Sequence, residues 1–93
     1  IPSYPYEEMK FTCPDALKFK VNEYLTDLFS SKGYKVETID GVKIWLDNGW
    51  VLLRPSNTQP VMRMFVEAMD KSGLEKIKSE FRSYFDDAVR AIS

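Results

Sequence analysis

The sequence predicts an α+β domain: a four-stranded antiparallel sheet with two helices packed on one face. Three observations predict it. Two stretches, one towards each end of the chain, repeat apolar residues at helical spacing. Between them, short runs alternate apolar and polar residues with the period of half-buried strands. Asp40-Gly41, Asn48-Gly49 and a proline-bracketed segment separate those runs, so the strands turn back on one another.

The elements follow in order. Ile1-Pro2-Ser3-Tyr4-Pro5 reads as a linker remnant (residues 1–5), and the domain proper as 6–93. Tyr6 to Thr12 alternates partially through Met9 and Phe11, as a short edge strand would. Thr12 with Asp15 three positions on, and Pro14 in the first turn, marks a helix start. Leu17, Val21, Leu25, Leu28 and Phe29 form its apolar stripe, and Gly33 is placed as a left-handed stop.

Asn48-Gly49 is read as a two-residue hairpin turn, with Asp47 paired to Trp50. Parity then puts Val42, Ile44, Leu46, Val51 and Leu53 on one apolar face, which must lie under the helices. Lys43, Trp45, Asp47, Trp50, Leu52 and Arg54 fall on the other. For the preceding turn, a left-handed bulge at Gly41 pairs Thr38 with Val42 and brings Tyr34 and Val36 inward. A tight Asp40-Gly41 turn would instead bury Lys35 and Glu37. Over 60–68, the side carrying Met62, Met64, Val66 and Ala68 belongs to the core. Ser72-Gly73-Leu74-Glu75 reads as a capping box, and Leu74, Ile77, Phe81, Tyr84 or Phe85, and Ala88 continue as the second stripe.

Composition narrows the chemistry. Thirteen Lys plus Arg against fourteen Asp plus Glu leave a net charge of −1, which argues against a broad nucleic-acid surface. The chain has no histidine, the usual proton carrier at neutral pH and the commonest metal ligand. Its single cysteine, Cys13, is read as a small buried apolar residue. No apolar run approaches a membrane span and no signal-peptide pattern opens the chain, so the reading is a domain of a cytoplasmic protein.

Arg54-Pro55-Ser56-Asn57-Thr58-Gln59-Pro60 exceeds structural need. Two prolines stiffen it, and between them stand two hydroxyls and two amides that can donate hydrogen bonds to an anion. Its backbone N–H groups can converge as a nest. No acidic residue occurs from Asn48 to Val66, while Arg54 and Arg63 both do. If Leu52 lies opposite Arg63, the guanidinium groups are diagonal neighbours, ~7–8 Å apart at Cα, and can meet on one phosphate. On the residues alone, an anion site and a Pro-rich turn with two surface arginines are equally good readings.

The block Asp40-Gly41, Gly49 through Pro60, Arg63 and Val66-Glu67-Ala68 resembles the C-terminal domain of the α-D-phosphohexomutases, which include phosphomannomutase/phosphoglucomutase and phosphoglucosamine mutase. The Cys13-Pro14-Asp15 opening and the final helix also fit, so the likeness covers nearly the whole chain. It implies a fold like that of the TATA-box-binding protein. It also implies a four-domain parent, an intramolecular phosphotransferase that moves phosphate between C1 and C6 of a hexose. There a phosphoserine of the first domain donates phosphate, Mg²⁺ sits on the second, and the third reads the sugar.

The fourth domain closes the cleft and grips the non-reacting phosphate of the hexose phosphate or bisphosphate. By position, Arg54, Ser56, Asn57 and Thr58 match that phosphate-binding loop, and Arg63 an arginine of some members. Asn57, where glucosamine mutases usually carry Gly, points to the phosphomannomutase/phosphoglucomutase branch, with phosphoglucosamine mutase as the alternative. Nothing here resembles the serine, Mg²⁺ or sugar-reading segments, so no catalytic residue and no cofactor is assigned to this domain and it is expected to be inactive alone. Its expected partners are hexose phosphates and the other three domains, not nucleic acid or membrane. The rival reading is a non-enzymatic module that uses the open aromatic sheet face, with Trp45, Trp50 and Phe65, for single-stranded nucleic acid or protein.

Overall fold

A computed structural model describes residues 4–38 and 41–92. The elements are β1 (Tyr6–Thr12), α1 (Asp15–Ser31), β2 (Lys35–Glu37), β3 (Val42–Leu46), β4 (Gly49–Pro55), β5 (Val61–Ala68) and α2 (Lys71–Ile92). The strands form one antiparallel sheet in the order β1-β5-β4-β3-β2. The sheet therefore has five strands rather than four. All seven residues of β1 pair with β5, from Tyr6 opposite Glu67 to Thr12 opposite Val61, so the edge segment is a full member.

Both helices cover one face. Val21, Leu25 and Phe29 of α1 and Ile77, Phe81, Phe85 and Ala88 of α2 are buried against Val42, Ile44, Val51, Leu53, Met62, Met64 and Val66 of the sheet. Phe29 is the hub, with ring centroids 5.3 Å from Phe81, 5.1 Å from Tyr84 and 5.7 Å from Tyr34. Such aromatic pairs add roughly 0.5–1.5 kcal/mol beyond the area they bury. Cys13 is fully buried, as expected of a small apolar residue, and burial pushes its thiol pKa up.

Helix ends differ from expectation in two places. Gly33 does stop α1, at φ 89°, with its own N–H donating to Ser30 O and that of Tyr34 to Phe29 O. Thr12, however, caps nothing. It is the last residue of β1 and is held in the sheet, so Pro14 stands at the N-cap and its carbonyl accepts the Leu17 and Lys18 amides at 2.8 and 3.0 Å. Nor does Ser72 start α2. Asp70 does, its carboxylate accepting the Gly73 amide at 2.7 Å, two residues earlier than the capping box implies.

The β3–β4 hairpin is shifted by two residues. Leu46 pairs with Gly49, so Asp47-Asn48 makes the turn and Gly49 belongs to β4. The reason lies across the sheet: a Cβ on Gly49 would stand 2.1 Å from the Glu67 carbonyl oxygen, and its φ is 156°. Glycine is needed there for close approach to β5. A slip of two preserves parity, so the predicted buried face survives. In β2–β3, Lys35 faces Trp45, Val36 faces Ile44 and Glu37 faces Lys43, which is the register expected of a Thr38–Val42 pair, although the paired residues end at Glu37. Lys35 and Glu37 are exposed, and Tyr34 and Val36 pack on the core, as the bulge requires.

Among the described residues the positive-φ glycines are Gly33 and Gly49; the left-handed bulge expected at Gly41 turns on Asp40, which lies outside them. A Cβ on Gly41 would lie 2.5 Å from Leu53 O, so close approach again explains the residue. Residues 1–3 of the expected linker, and Ile39 and Asp40 of this turn, lie outside the described residues. Pro5 is already tied to the sheet, its carbonyl accepting the Ala68 amide. Among the described residues no helix is long and apolar enough to cross a membrane.

Candidate functional site

The antiparallel order brings three things to one end of the sheet: the β4–β5 loop, the β1–α1 junction, and Gly41 at the start of β3. The loop is fastened from both sides. Ser56 N–H donates to Val61 O at 3.0 Å, which closes its neck. Cys13 N–H donates to Pro60 O at 2.8 Å, and the Lys18 ammonium to Gln59 O at 3.0 Å.

Lys18 was not singled out from sequence. It is 4% exposed, the single buried charged side chain among the described residues, and it also pairs with Asp15 at 2.8 Å. A readable signal existed: Lys18 lies three and seven residues before Val21 and Leu25, on the apolar stripe itself. A charge placed there must have a buried partner. That partner is the carbonyl of a loop residue forty-one positions away, which periodicity cannot reveal.

The five residues expected at the site come together. Arg54, Pro55, Ser56, Asn57, Thr58 and Arg63 line one concavity of about 220 Å³. Liquid water occupies about 30 Å³ per molecule, so this is room for several waters or a small oxyanion. Arg54 pairs directly with Arg63, and Leu52 with Phe65, so the arginines are closer than the diagonal arrangement expected. Facing residues of neighbouring strands lie ~4.5–5.5 Å apart at Cα. Like charges so placed repel, a cost that an anion between them removes.

The two arginines differ. Among the described residues no carboxylate pairs with Arg54. Arg63 already has a partner: its Nε donates to Glu8 Oε2 at 2.8 Å, and its Nη2 stands 2.6 Å from the same oxygen. Its guanidinium carbon lies 4.9 Å from the Phe65 ring centroid. The stretch without acidic residues is thus not an unopposed positive field, because β1 carries Glu8 into it. Only the β1–β5 register could show this.

Within the loop, Ser56 bonds inward. Its Oγ accepts the Thr58 and Gln59 amides at 3.3 and 3.2 Å and lies 3.4 Å from Thr58 Oγ1. The amides that were expected to converge on an external anion converge on the Ser56 hydroxyl, as turn serines commonly do. Asn57 and Thr58 are exposed, and the Arg54 fork stands beside them. Arg54, Pro55 and Asn57 also border a second concavity of about 330 Å³, completed by Phe19, Asn22, Thr38 and Gly41. There Asn22 Oδ1 is buried without a hydrogen-bond partner among the described residues. No group of three or more Cys, Asp or Glu side chains among the described residues is arranged to hold a metal ion.

Comparison with known proteins decides the family. Residues 8–83 match the family model for the phosphoglucomutase/phosphomannomutase C-terminal domain. The chain belongs to that family. It is 40% identical over 81 residues to a probable phosphoglucosamine mutase of Methanopyrus kandleri, a match covering 87% of this chain and 18% of that protein. A probable phosphoglucosamine mutase of Pyrococcus abyssi is 36% identical over 95 residues, covering 100% of this chain and 21% of its own.

A crystal structure of a phosphoglucomutase/phosphomannomutase family protein from Burkholderia thailandensis superposes with a TM-score of 0.74 at 28% identity, covering 94% of this chain and 18% of that one. The chain therefore spans about a fifth of the length of these relatives. In this phosphohexomutase C-terminal domain Arg54, Ser56, Asn57, Thr58 and Arg63 border one concavity.

Proposed function

We propose that this domain binds the non-reacting phosphate of a hexose phosphate, and that in the full-length enzyme it closes the cleft during phosphoryl transfer between C1 and C6. One observation carries the reading. Five donor side chains gather at a single concavity, with Arg54 directly opposite Arg63 on the neighbouring strand. Guanidinium forks match two phosphate oxygens at once, and Asn57 and Thr58 supply further donors.

The domain's share of the reaction is binding energy and orientation. Holding one phosphate fixes the sugar so that the other meets its acceptor in line, which removes most of the entropic barrier to that encounter. The bisphosphate intermediate must turn over between half-reactions. A clamp that reads phosphate rather than sugar accepts both orientations. The nucleophilic serine and Mg²⁺ of this reading belong to the rest of the parent chain, and the location that goes with it is cytoplasmic. Relatives named phosphoglucosamine mutase favour an amino-hexose substrate, while Asn57 favours the phosphomannomutase/phosphoglucomutase branch. The clamp serves either sugar.

Titrating the ¹⁵N-labelled chain with inorganic phosphate and glucosamine 6-phosphate tests the reading. The amides of residues 54–59 should move first, with roughly millimolar affinity. Shifts centred on Trp45 and Phe65 with an oligonucleotide, and none with either phosphate, would favour the nucleic-acid rival. The geometry of that face opposes it: the Lys43 ammonium already lies 4.1 and 4.5 Å from the Trp45 and Trp50 ring centroids.

A further inference from the structure

We infer that Glu8 is a built-in counter-ion that occupies Arg63 while the site is empty and limits how tightly the site holds phosphate; the inference rests on the phosphate-binding reading above. The strand register places two guanidinium groups directly opposite each other, a repulsive arrangement in a free domain. β1 brings one carboxylate to relieve it. Arg63 spends its Nε and Nη2 on the single oxygen Oε2 of Glu8, while the Phe65 ring flanks its plane. Arg63 also lines the concavity with Arg54, Ser56 and Thr58, and of its five N–H donors those not given to Glu8 are left for a ligand.

The consequence is electrostatic. With Glu8 ionised, the Arg63–Glu8 pair is neutral as a unit, and Arg54 alone presents an uncompensated charge to the incoming dianion. Phosphate must share Arg63 with Glu8 or displace it. Both side chains of the pair are about one-third exposed, so the competition is moderated by solvent and has a modest size. A grip tempered in this way suits a reaction whose bisphosphate has to be released and caught again by its other end.

The test compares the 93-residue chain with its Glu8→Gln variant, which keeps the shape and an acceptor but removes the charge. Inorganic phosphate is titrated at two salt concentrations and followed through the amides of 54–59. The variant should bind phosphate roughly threefold to fivefold more tightly, with a steeper loss of affinity as salt rises. Unchanged or weaker binding by Glu8→Gln, beside a normal wild-type titration, would overturn the counter-ion role and leave the phosphate site standing. If neither protein responds at 54–59, the site reading itself falls. Because Glu8→Gln also restores the arginine repulsion, a Glu8→Gln/Arg63→Gln double variant serves as control. It should lose the gain entirely; retention of tighter binding without Arg63 would refute the proposed pairing.

Discussion

Replacing Arg54 with alanine should all but abolish phosphate binding by this domain while leaving its fold intact. Arg54 is half-buried at the end of β4 and has no ion-pair partner among the described residues, so its donors are available to a ligand. Charge-assisted hydrogen bonds contribute about 1.5–3 kcal/mol each. If the fork makes two and half of that is offset by ordering and desolvation, the net loss is about 1.5–3 kcal/mol. That corresponds to roughly tenfold to more than a hundredfold in affinity. From a millimolar start, Arg54→Ala would show no saturable shift in an NMR titration.

Arg54→Lys keeps the charge but not the planar fork, so about a tenfold loss is expected. Arg63→Ala should cost less, about threefold, because Arg63 must first leave Glu8. Stability should change little, because Glu8 already pairs with Arg63 and relieves most of its repulsion with Arg54. The melting temperature should hold within a few degrees. In the full-length enzyme the loss should appear chiefly in kcat/KM. A folded Arg54→Ala domain that binds phosphate within twofold of the wild type would refute this reasoning.

The other predictions concern the supports of the site. Lys18→Met removes the tether to Gln59 O but ends the burial of a charge, so thermal stability should change by no more than about 1 kcal/mol. Phosphate affinity should nevertheless fall about threefold or more; a large drop in melting temperature with unaltered affinity would make Lys18 a core residue only. Gly49→Ala forces a methyl group towards the Glu67 carbonyl at an unfavourable φ, and should destabilise by about 2–4 kcal/mol, or more than 10 °C in Tm. An alanine variant that melts like the wild type would show that β4 can move away from β5.

Burial, with the Tyr84 hydroxyl beside it, pushes the Tyr34 phenol up to about 12. The folded chain thus holds this proton more tightly than the unfolded one, whose tyrosines titrate near ~10. That contribution is complete below pH ~10 and is lost as pH rises towards 12. Alkaline denaturation of Tyr34→Phe should therefore be shallower in that window than that of the wild type.

Much of the fold was legible because its signals are local. The stripes of α1 and α2, the glycine stop at Gly33 and the alternation of β5 are periodicities that packing had no reason to override. Face parity survived even where register did not, since the β3–β4 slip is two residues and the strand period is two. What failed was the assignment of special residues to turns and caps. Gly49 reads as a turn former because sequence shows only a residue's freedom, whereas it is there for a backbone lying across the sheet, and Gly41 also lies close to one. Thr12 and Ser72 look like caps until strand pairing claims one and Asp70 pre-empts the other. At the site, the loop residues were visible in one run of sequence, but Lys18 and Glu8 were not, because each acts through a contact more than forty positions away.

That division explains why the loop depends on the domain around it. The run from Arg54 to Pro60 supplies donors, yet its shape is held by groups it does not contain: the Cys13 amide, the Lys18 ammonium and the Val61 carbonyl. Ser56 spends its hydroxyl oxygen on the loop's own amides, so it serves as an internal brace, and the proposed reading leaves the ligand-facing work to the guanidinium groups with Asn57 and Thr58. On the proposed reading, affinity for a phosphate follows from sheet register, since a shift of two residues between β4 and β5 would keep every side chain on its face and still part Arg54 from Arg63. The opposition of two guanidinium groups on adjacent strands, with only Arg63 paired to a carboxylate, leaves Arg54 uncompensated and is unfavourable for folding alone. Its presence at the mouth of a rigid, hydroxyl-lined turn makes sense when an anion is the missing partner.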